Sequence, residues 1–268
     1  MLMNGRVLIV TGSNSSDGAG IQADLKTVTA LGGYAATAIT ALTAQNTRGV
    51  FGIVGMEPDF IARQMRRVLD DIGADCVKTG MLHDAAVIET VVEVLESAAA
   101  DIPLVVDPVM YAKGGDCLLD PTARDTLIQR LLPRATLITP NIREAEALSG
   151  RAIRQPDDLA TAAHRLLELG PAAVLVKGGH LAGDTVTDWL VWSGGGEAFT
   201  APRITSRNTH GTGCTLASAI AAGLAGGMPL NAAVRRALSY VREAILTAPD
   251  LGAGCGPLNH GHTVSPWN

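Results

Sequence analysis

The segment Asn208-Thr-His-Gly211-Thr-Gly-Cys214-Thr-Leu-Ala sets a glycine-rich turn and a cysteine at the head of an alanine-rich stretch. A helix beginning near Thr212 or Gly213 would aim its first N–H groups at a pocket for negative charge. In a transfer reaction those groups could stabilise charge on a moving phosphoryl group. Cys214 would lie at the positive end of that helix, where a thiol's pKa tends to fall, and could act as base towards a substrate hydroxyl. A small buried residue beneath a glycine-rich turn would leave the same pattern.

Three further groups point the same way. Asp107 follows Leu104-Val-Val and precedes Pro108, so the chain cannot continue as a helix and the carboxylate falls at a strand end. Asn141 and Glu144 follow an apolar run and Pro140, and their spacing predicts one shared helical face. Lys177 ends the run Ala173-Val-Leu-Val and enters Gly178-Gly179. The acid and the acid–amide pair are hard ligands suited to Mg²⁺ and its waters. A lysine at the same rim suits nucleotide phosphates. Each group alone also fits a cap or a surface charge; four on the strand ends of one sheet describe a phosphate-transfer crevice.

Near the start, Thr11-Gly-Ser-Asn-Ser-Ser-Asp-Gly18-Ala-Gly20-Ile-Gln-Ala-Asp24 looks like a dinucleotide fingerprint. The third glycine is missing, and no acidic residue closes a second strand nearby. No Walker A sequence occurs. The loop is either a bare tight turn or a binding turn. Asp24 is correspondingly a solvated helix residue or a carboxylate pointing back into the crevice to bind a polar ligand edge.

The elements that must hold these groups are short apolar runs alternating with amphipathic stretches. Strands are predicted at 6–10, 50–56, 75–78, 103–107, 135–139, 173–177 and 186–192. Phe60, Ile61, Met65, Val68, Leu69 and Ile72 recur at helical spacing, as do Leu159, Ala163, Leu166 and Leu167 before the stop at Gly170-Pro171. Continuously apolar runs ending in one polar residue are how strands buried on both faces of a parallel sheet read. The alternation predicts a doubly wound α/β fold with its site along the carboxyl ends of the strands. No linker or repeat interrupts it, so residues 1–268 are read as one domain.

Composition narrows the partners. The 268 residues carry 21 Lys+Arg against 26 Asp+Glu, a net charge of −5, with 3% aromatics. This argues against a basic nucleic-acid or membrane footprint and against a base-stacking platform. Small anions stay open, because backbone N–H groups bind phosphate without cationic side chains. Two windows, 28–47 and 215–234, run without a charge but are built largely of Ala, Gly, Thr and Ser, which predicts closely packed helices of a soluble core rather than membrane spans. The first residues do not read as a signal peptide. Cys76, Cys117, Cys214 and Cys255 are scattered, with no zinc or disulfide spacing, and a reducing cytoplasm fits. His260 and His262 read as solvated residues near the end of the chain rather than metal ligands.

Taken together, these segments resemble the hydroxymethylpyrimidine/phosphomethylpyrimidine kinases of thiamine biosynthesis, in the ribokinase-like superfamily. The matching pieces are Gly18-Ala-Gly-Ile-Gln-Ala-Asp-Leu-Lys26, Ala38-Ile-Thr-Ala-Leu-Thr-Ala-Gln-Asn-Thr47, Val77-Lys-Thr-Gly-Met-Leu82 and Val106-Asp-Pro-Val-Met110 with Ala112-Lys-Gly-Gly-Asp116. They continue in Thr139-Pro-Asn141 with Glu144, Val176-Lys-Gly-Gly-His-Leu181, Asn208 to Thr215 and Gly256-Pro-Leu-Asn-His260. The resemblance implies a three-layer α/β/α sandwich around a central, mainly parallel sheet, and a homodimer. It implies ATP- and Mg²⁺-dependent phosphorylation of 4-amino-5-hydroxymethyl-2-methylpyrimidine to the monophosphate and then the diphosphate. By the same resemblance, Gln45 and Asp24 would read the polar edge of the pyrimidine, with Gly12, Met81 and Val109 shaping its pocket. Gly211, Thr212, Gly213 and Cys214 would form the anion hole, with Cys214 as base. Asp107, Asn141, Glu144 and Lys177 would handle Mg²⁺ and the ATP phosphates.

The chain departs from the family pattern in its first loop, where Asn14, Ser15 and Asp17 replace the more usual Asp, Pro and Gly. That loop borders the substrate, so affinity or the second phosphorylation could differ. Cys255 stands where a histidine is common. Two alternatives are a pyridoxal kinase, since some relatives with a cysteine in the anion-hole motif accept vitamin B6 vitamers, and a non-catalytic vitamin-binding module.

Overall fold

A computed structural model describes residues 4–111, 115 and 118–265. Of the matched segments, Ala112, Lys113, Gly114 and Asp116 lie outside the described residues, as does Cys117. The strands are β1 (Arg6–Asn14), β2 (Tyr34–Asn46), β3 (Gly49–Gly55), β4 (Cys76–Thr79), β5 (Leu104–Val106), β6 (Leu137–Ile138), β7 (Ala173–Val176), β8 (Thr185–Trp192) and β9 (Gly195–Pro202). They form one sheet in the order β3-β2-β1-β4-β5-β6-β7-β8-β9. From β2 to β7 every pairing is parallel; β3, β8 and β9 join antiparallel at the two edges.

The helices are α1 (Gly20–Ala30), α2 (Pro58–Asp71), α3 (Ala85–Ala98), α4 (Ala123–Thr126), α5 (Ile142–Ser149), α6 (Pro156–Leu167), α7 (Thr212–Ala225) and α8 (Leu230–Leu246). Alternate residues of each central strand serve opposite cores, as the two-residue strand period requires. Leu8, Val10, Leu104 and Val106 pack with α2 to α6, whereas Val7, Ile9 and Val105 pack with α1, α7 and α8. Three layers result, the doubly wound α/β fold that the alternation predicts and the α/β/α sandwich that the resemblance implies. Among the described residues, no helix is long and apolar enough to cross a membrane.

Two elements differ from the sequence reading. Window 28–47 is mostly β2, not helix. Its Thr and Ile residues are β-branched, and Ala38, Thr40 and Ala41 are buried in a strand that β1 and β3 flank. Strand β9 was not anticipated, because Gly195-Gly-Glu-Ala-Phe-Thr-Ala-Pro is polar and half-exposed, as an edge strand allows. The second charge-free window does form helices, and α7 begins at Thr212. Because β1, β2, β4, β5, β6 and β7 are parallel, their carboxyl ends share one edge. Gln45, Asp107, Asn141, Lys177 and the start of α7 all gather there.

Candidate active site

Helix α7 starts from Gly211, whose φ of 81° and ψ of 6° are left-handed. A Cβ at Gly211 would also lie 1.9 Å from the Gly18 carbonyl oxygen, so this turn meets the backbone of the first loop only because Gly211 lacks a side chain. Gly211→Ala is therefore expected to destabilise by more than about 1 kcal/mol and to remove most turnover. Thermal unfolding and steady-state rates check this; an alanine variant with wild-type midpoint and rate would contradict the geometry.

Over the same helix start lies an ion pair. Lys177 Nζ donates to Asp107 Oδ1 at 2.9 Å, and Thr139 Oγ1 donates to the same oxygen at 3.2 Å. A Cβ on Gly213 would lie 3.1 Å from Lys177 Nζ and 3.4 Å from Asp107 Oδ2, so this glycine lets the pair approach the α7 N–H groups. Burial opposes the Lys177 ammonium, but Asp107 and Glu144 outweigh it and raise its pKa.

Asn141 and Glu144 are used differently from the expected pair of free ligands on one face. Asn141 is the N-cap of α5, its Oδ1 accepting from the Glu144 N–H at 3.1 Å, while Glu144 Oε2 accepts from the Asn141 N–H at 2.8 Å. This is a capping box. Glu144 is nonetheless a buried acid beside Lys177 and Asp107. Burial pushes its carboxyl up to about 7, with Asp107 adding to the rise and Lys177 and the N–H groups of Asn141 and Met110 opposing it.

Asp24 does not point into the crevice, which corrects the expectation for its side chain. It is fully buried between α1, α7 and β4: Lys78 Nζ donates to Oδ2 at 2.7 Å and Ser218 Oγ donates to Oδ1 at 2.7 Å. A buried charge needs such partners. Burial raises the Asp24 carboxyl against the pull of Lys78 and Ser218. Lys78 and Ser218 escaped the sequence reading. The signal was there in Lys78, a lysine between Val77 and Thr79 in an otherwise apolar strand.

Cys214 is also corrected. Its thiol is not lowered by the helix end; burial pushes it up to about 11. Lys78 and the Gly20 N–H pull it down, while Asp24 and Asp107 push it further up.

At the other end, Gln45 closes β2, tied by its backbone to Ser15 Oγ. Its Nε2 lies 3.4 Å from His210 Nε2, so this amide reaches the residue before Gly211. Gly12 and Met81 are in contact, a Gly12 Cβ position being 3.2 Å from Met81 Sδ. Met81 is held by Thr11 Oγ1 on its N–H and Thr40 Oγ1 on its carbonyl. Val109 follows Asp107 in the next loop and is half-buried. The structure thus brings together an N–H-lined helix start, a lysine, two acids, a thiol and an amide, with Asp24 beneath them. That set suits transfer of a phosphoryl group to a hydroxyl.

Comparison with known proteins agrees with this chemistry. The family model described as phosphomethylpyrimidine kinase matches residues 14–259. A hydroxymethylpyrimidine/phosphomethylpyrimidine kinase of Streptomyces coelicolor is 50% identical over 256 residues, covering 95% of this chain and 94% of that protein. A thiamine biosynthesis bifunctional protein of Geobacter sulfurreducens is 54% identical over 257 residues; the match covers 96% of this chain but only 52% of the relative, so the chain spans about half of that protein's length. Among solved structures, a pyridoxal kinase of Bacillus subtilis in complex with ADP has a TM-score of 0.88 at 34% identity, covering 96% of this chain and 97% of that one.

Proposed function

The chain belongs to the phosphomethylpyrimidine kinase family, and on that premise we propose that one site carries both of its phosphorylations. It is an ATP-dependent kinase of thiamine biosynthesis, acting on the hydroxymethylpyrimidine and then on its monophosphate. The observation that carries the site assignment is the convergence of Lys177 and Asp107 on the start of α7, beside Cys214.

Each residue has a part in this reading. Gln45 holds the polar edge of the pyrimidine, and Gly12, Met81 and Val109 shape its pocket. The substrate hydroxyl faces Cys214; as its oxygen attacks the terminal phosphorus of ATP the bond to ADP breaks, ADP leaves, and the thiolate form of Cys214 takes the hydroxyl proton. The N–H groups of Gly211, Thr212, Gly213 and Cys214 receive the charge of the transferring group, helped by Lys177. Asp24, with Lys78, supports the thiol from below rather than touching substrate.

The donor set fits Mg²⁺. Asp107 and Glu144 are buried carboxylates, hard oxygen ligands at one strand edge. Mg²⁺ is characteristically held by one or two carboxylates together with water and substrate phosphates. Asp107 would hold the ion, with Glu144 and Asn141 behind it; when bound it supplies charge neutralisation at the phosphates. Asp107→Asn keeps the Thr139 hydrogen bond and should raise the Mg²⁺ concentration for half-maximal rate about tenfold or more. A Mg²⁺ titration of the variant checks this, and an unchanged midpoint removes Asp107 from the metal.

The likeness to the Bacillus subtilis pyridoxal kinase favours pyridoxal as the second reading of the same pocket. The chain is further proposed to be a single cytoplasmic domain that pairs as a homodimer. Phe51 and Val54, 72% and 64% exposed on the edge strand β3, suit a second copy of the chain.

A further inference from the structure

Asn14 ends β1 and is 4% exposed. Its Oδ1 accepts from the Ser16 N–H at 2.9 Å and from Ser16 Oγ at 2.8 Å. Those two donors fix the direction of the carboxamide, so Nδ2 is the atom that lies 2.9 Å from His210 Nε2. An amide NH₂ only donates, so this ring nitrogen accepts, and the neutral imidazole carries its proton on Nδ1. Gln45 then meets the same lone pair with its own NH₂, at 3.4 Å. Its Oε1 is left turned the other way, with Thr43 Oγ1 at 3.4 Å.

The ring is anchored for this task. The His210 N–H donates to the Gly256 carbonyl at 3.0 Å, and a Cβ at Gly18 would lie 2.7 Å from His210 Cδ2, so the first loop makes room for the imidazole by omitting a side chain. His210 is also the residue before the anion-hole glycine Gly211. One ring therefore joins the ends of β1 and β2, the first loop and the α7 turn.

We propose that Asn14 and His210 are positioning residues that set the direction of the Gln45 carboxamide, so that the site offers a carbonyl oxygen to the ring-edge amine of its substrate. The site then prefers an aminopyrimidine to the corresponding oxopyrimidine, whose edge would bring a second acceptor against Oε1. The proposal rests on the reading of Gln45 as the pyrimidine contact.

Nitrogen NMR of the full chain gives the first test: Nε2 of His210 should be the unprotonated ring nitrogen, and finding the proton there would overturn the proposal whatever the substrate. Binding of the aminopyrimidine and of its 4-oxo counterpart, measured by calorimetry, gives the preference without catalysis. Asn14→Asp turns an acceptor towards the ring, so the proton should move to Nε2 and the amino-over-oxo preference should fall about tenfold. His210→Gln, which can restore an acceptor, should keep more of that preference than His210→Leu. In steady state the changes should appear in KM for the pyrimidine and not in KM for ATP. An unchanged preference in Asn14→Asp, or equal loss in the Gln and Leu variants, would overturn it. Failure of wild type to bind either pyrimidine would reject the Gln45 reading and with it the preference, while the NMR result would still decide the ring's tautomer.

Discussion

Cys214→Ala is expected to lower kcat by about 10²- to 10⁴-fold while leaving the affinity for the pyrimidine nearly intact. The thiol stands at the start of α7, beside the N–H groups that would receive the phosphoryl charge. With the thiol pushed up to about 11, only about one molecule in 10⁴ holds a thiolate at pH 7 before substrate binds. The wild-type rate, if limited by this proton, should therefore climb as pH rises from neutral towards that value. The alanine variant should lose the climb along with the rate. Binding measured by calorimetry and kcat measured across alkaline pH separate the two effects. Near-wild-type turnover, or the same pH profile in the variant, would remove Cys214 as the base.

Lys78→Met should be the most damaging single change to stability, by about 3–5 kcal/mol. The side chains of Lys78 and Asp24 are both fully buried, and their 2.7 Å contact is the chief compensation for two desolvated charges. Burial works against the Lys78 ammonium, yet Asp24, Cys214 and Asp107 together raise its pKa, so the lysine stays charged beside Asp24. Removing the lysine strands the carboxylate among α1, α7 and β4. The paired variant Lys78→Met with Asp24→Asn removes both charges and keeps an acceptor for Ser218, so it should recover much of the loss. Urea unfolding of the singles and the pair measures the coupling. Additive losses, or a Lys78→Met cost below about 1 kcal/mol, would show that the pair is not the buried ion bridge described.

Lys78 also marks the boundary between what the residues reveal in line and what needs the fold. Runs such as Leu104-Val-Val and Val174-Leu-Val declare strands buried on both faces, and the polar residues that follow them do reach one edge. The start of α7 was legible from two glycines and an alanine-rich continuation. Cys214's position followed from that, but the direction of its pKa did not, because the helix end is encoded locally while burial depends on α1 and β4 closing over it. Asn141 and Glu144 carry a signal that fits both readings weighed for them, since an Asn followed three residues later by Glu is a capping box as well as a pair of hard ligands. Strand β2 was hidden by its alanines, which favour helix until β1 and β3 flank them. The link from Asn14 through His210 to Gln45 joins residues separated by up to 196 positions, and no local pattern announces it.

The most direct test of the account follows the purified chain with ATP, Mg²⁺ and 4-amino-5-hydroxymethyl-2-methylpyrimidine by phosphorus NMR, with pyridoxal in a parallel sample. The account predicts that the pyrimidine monophosphate appears first, that the diphosphate then grows at its expense, and that pyridoxal is phosphorylated more slowly. A pyrimidine that stays unphosphorylated while ATP persists, or while pyridoxal alone is consumed, would contradict it.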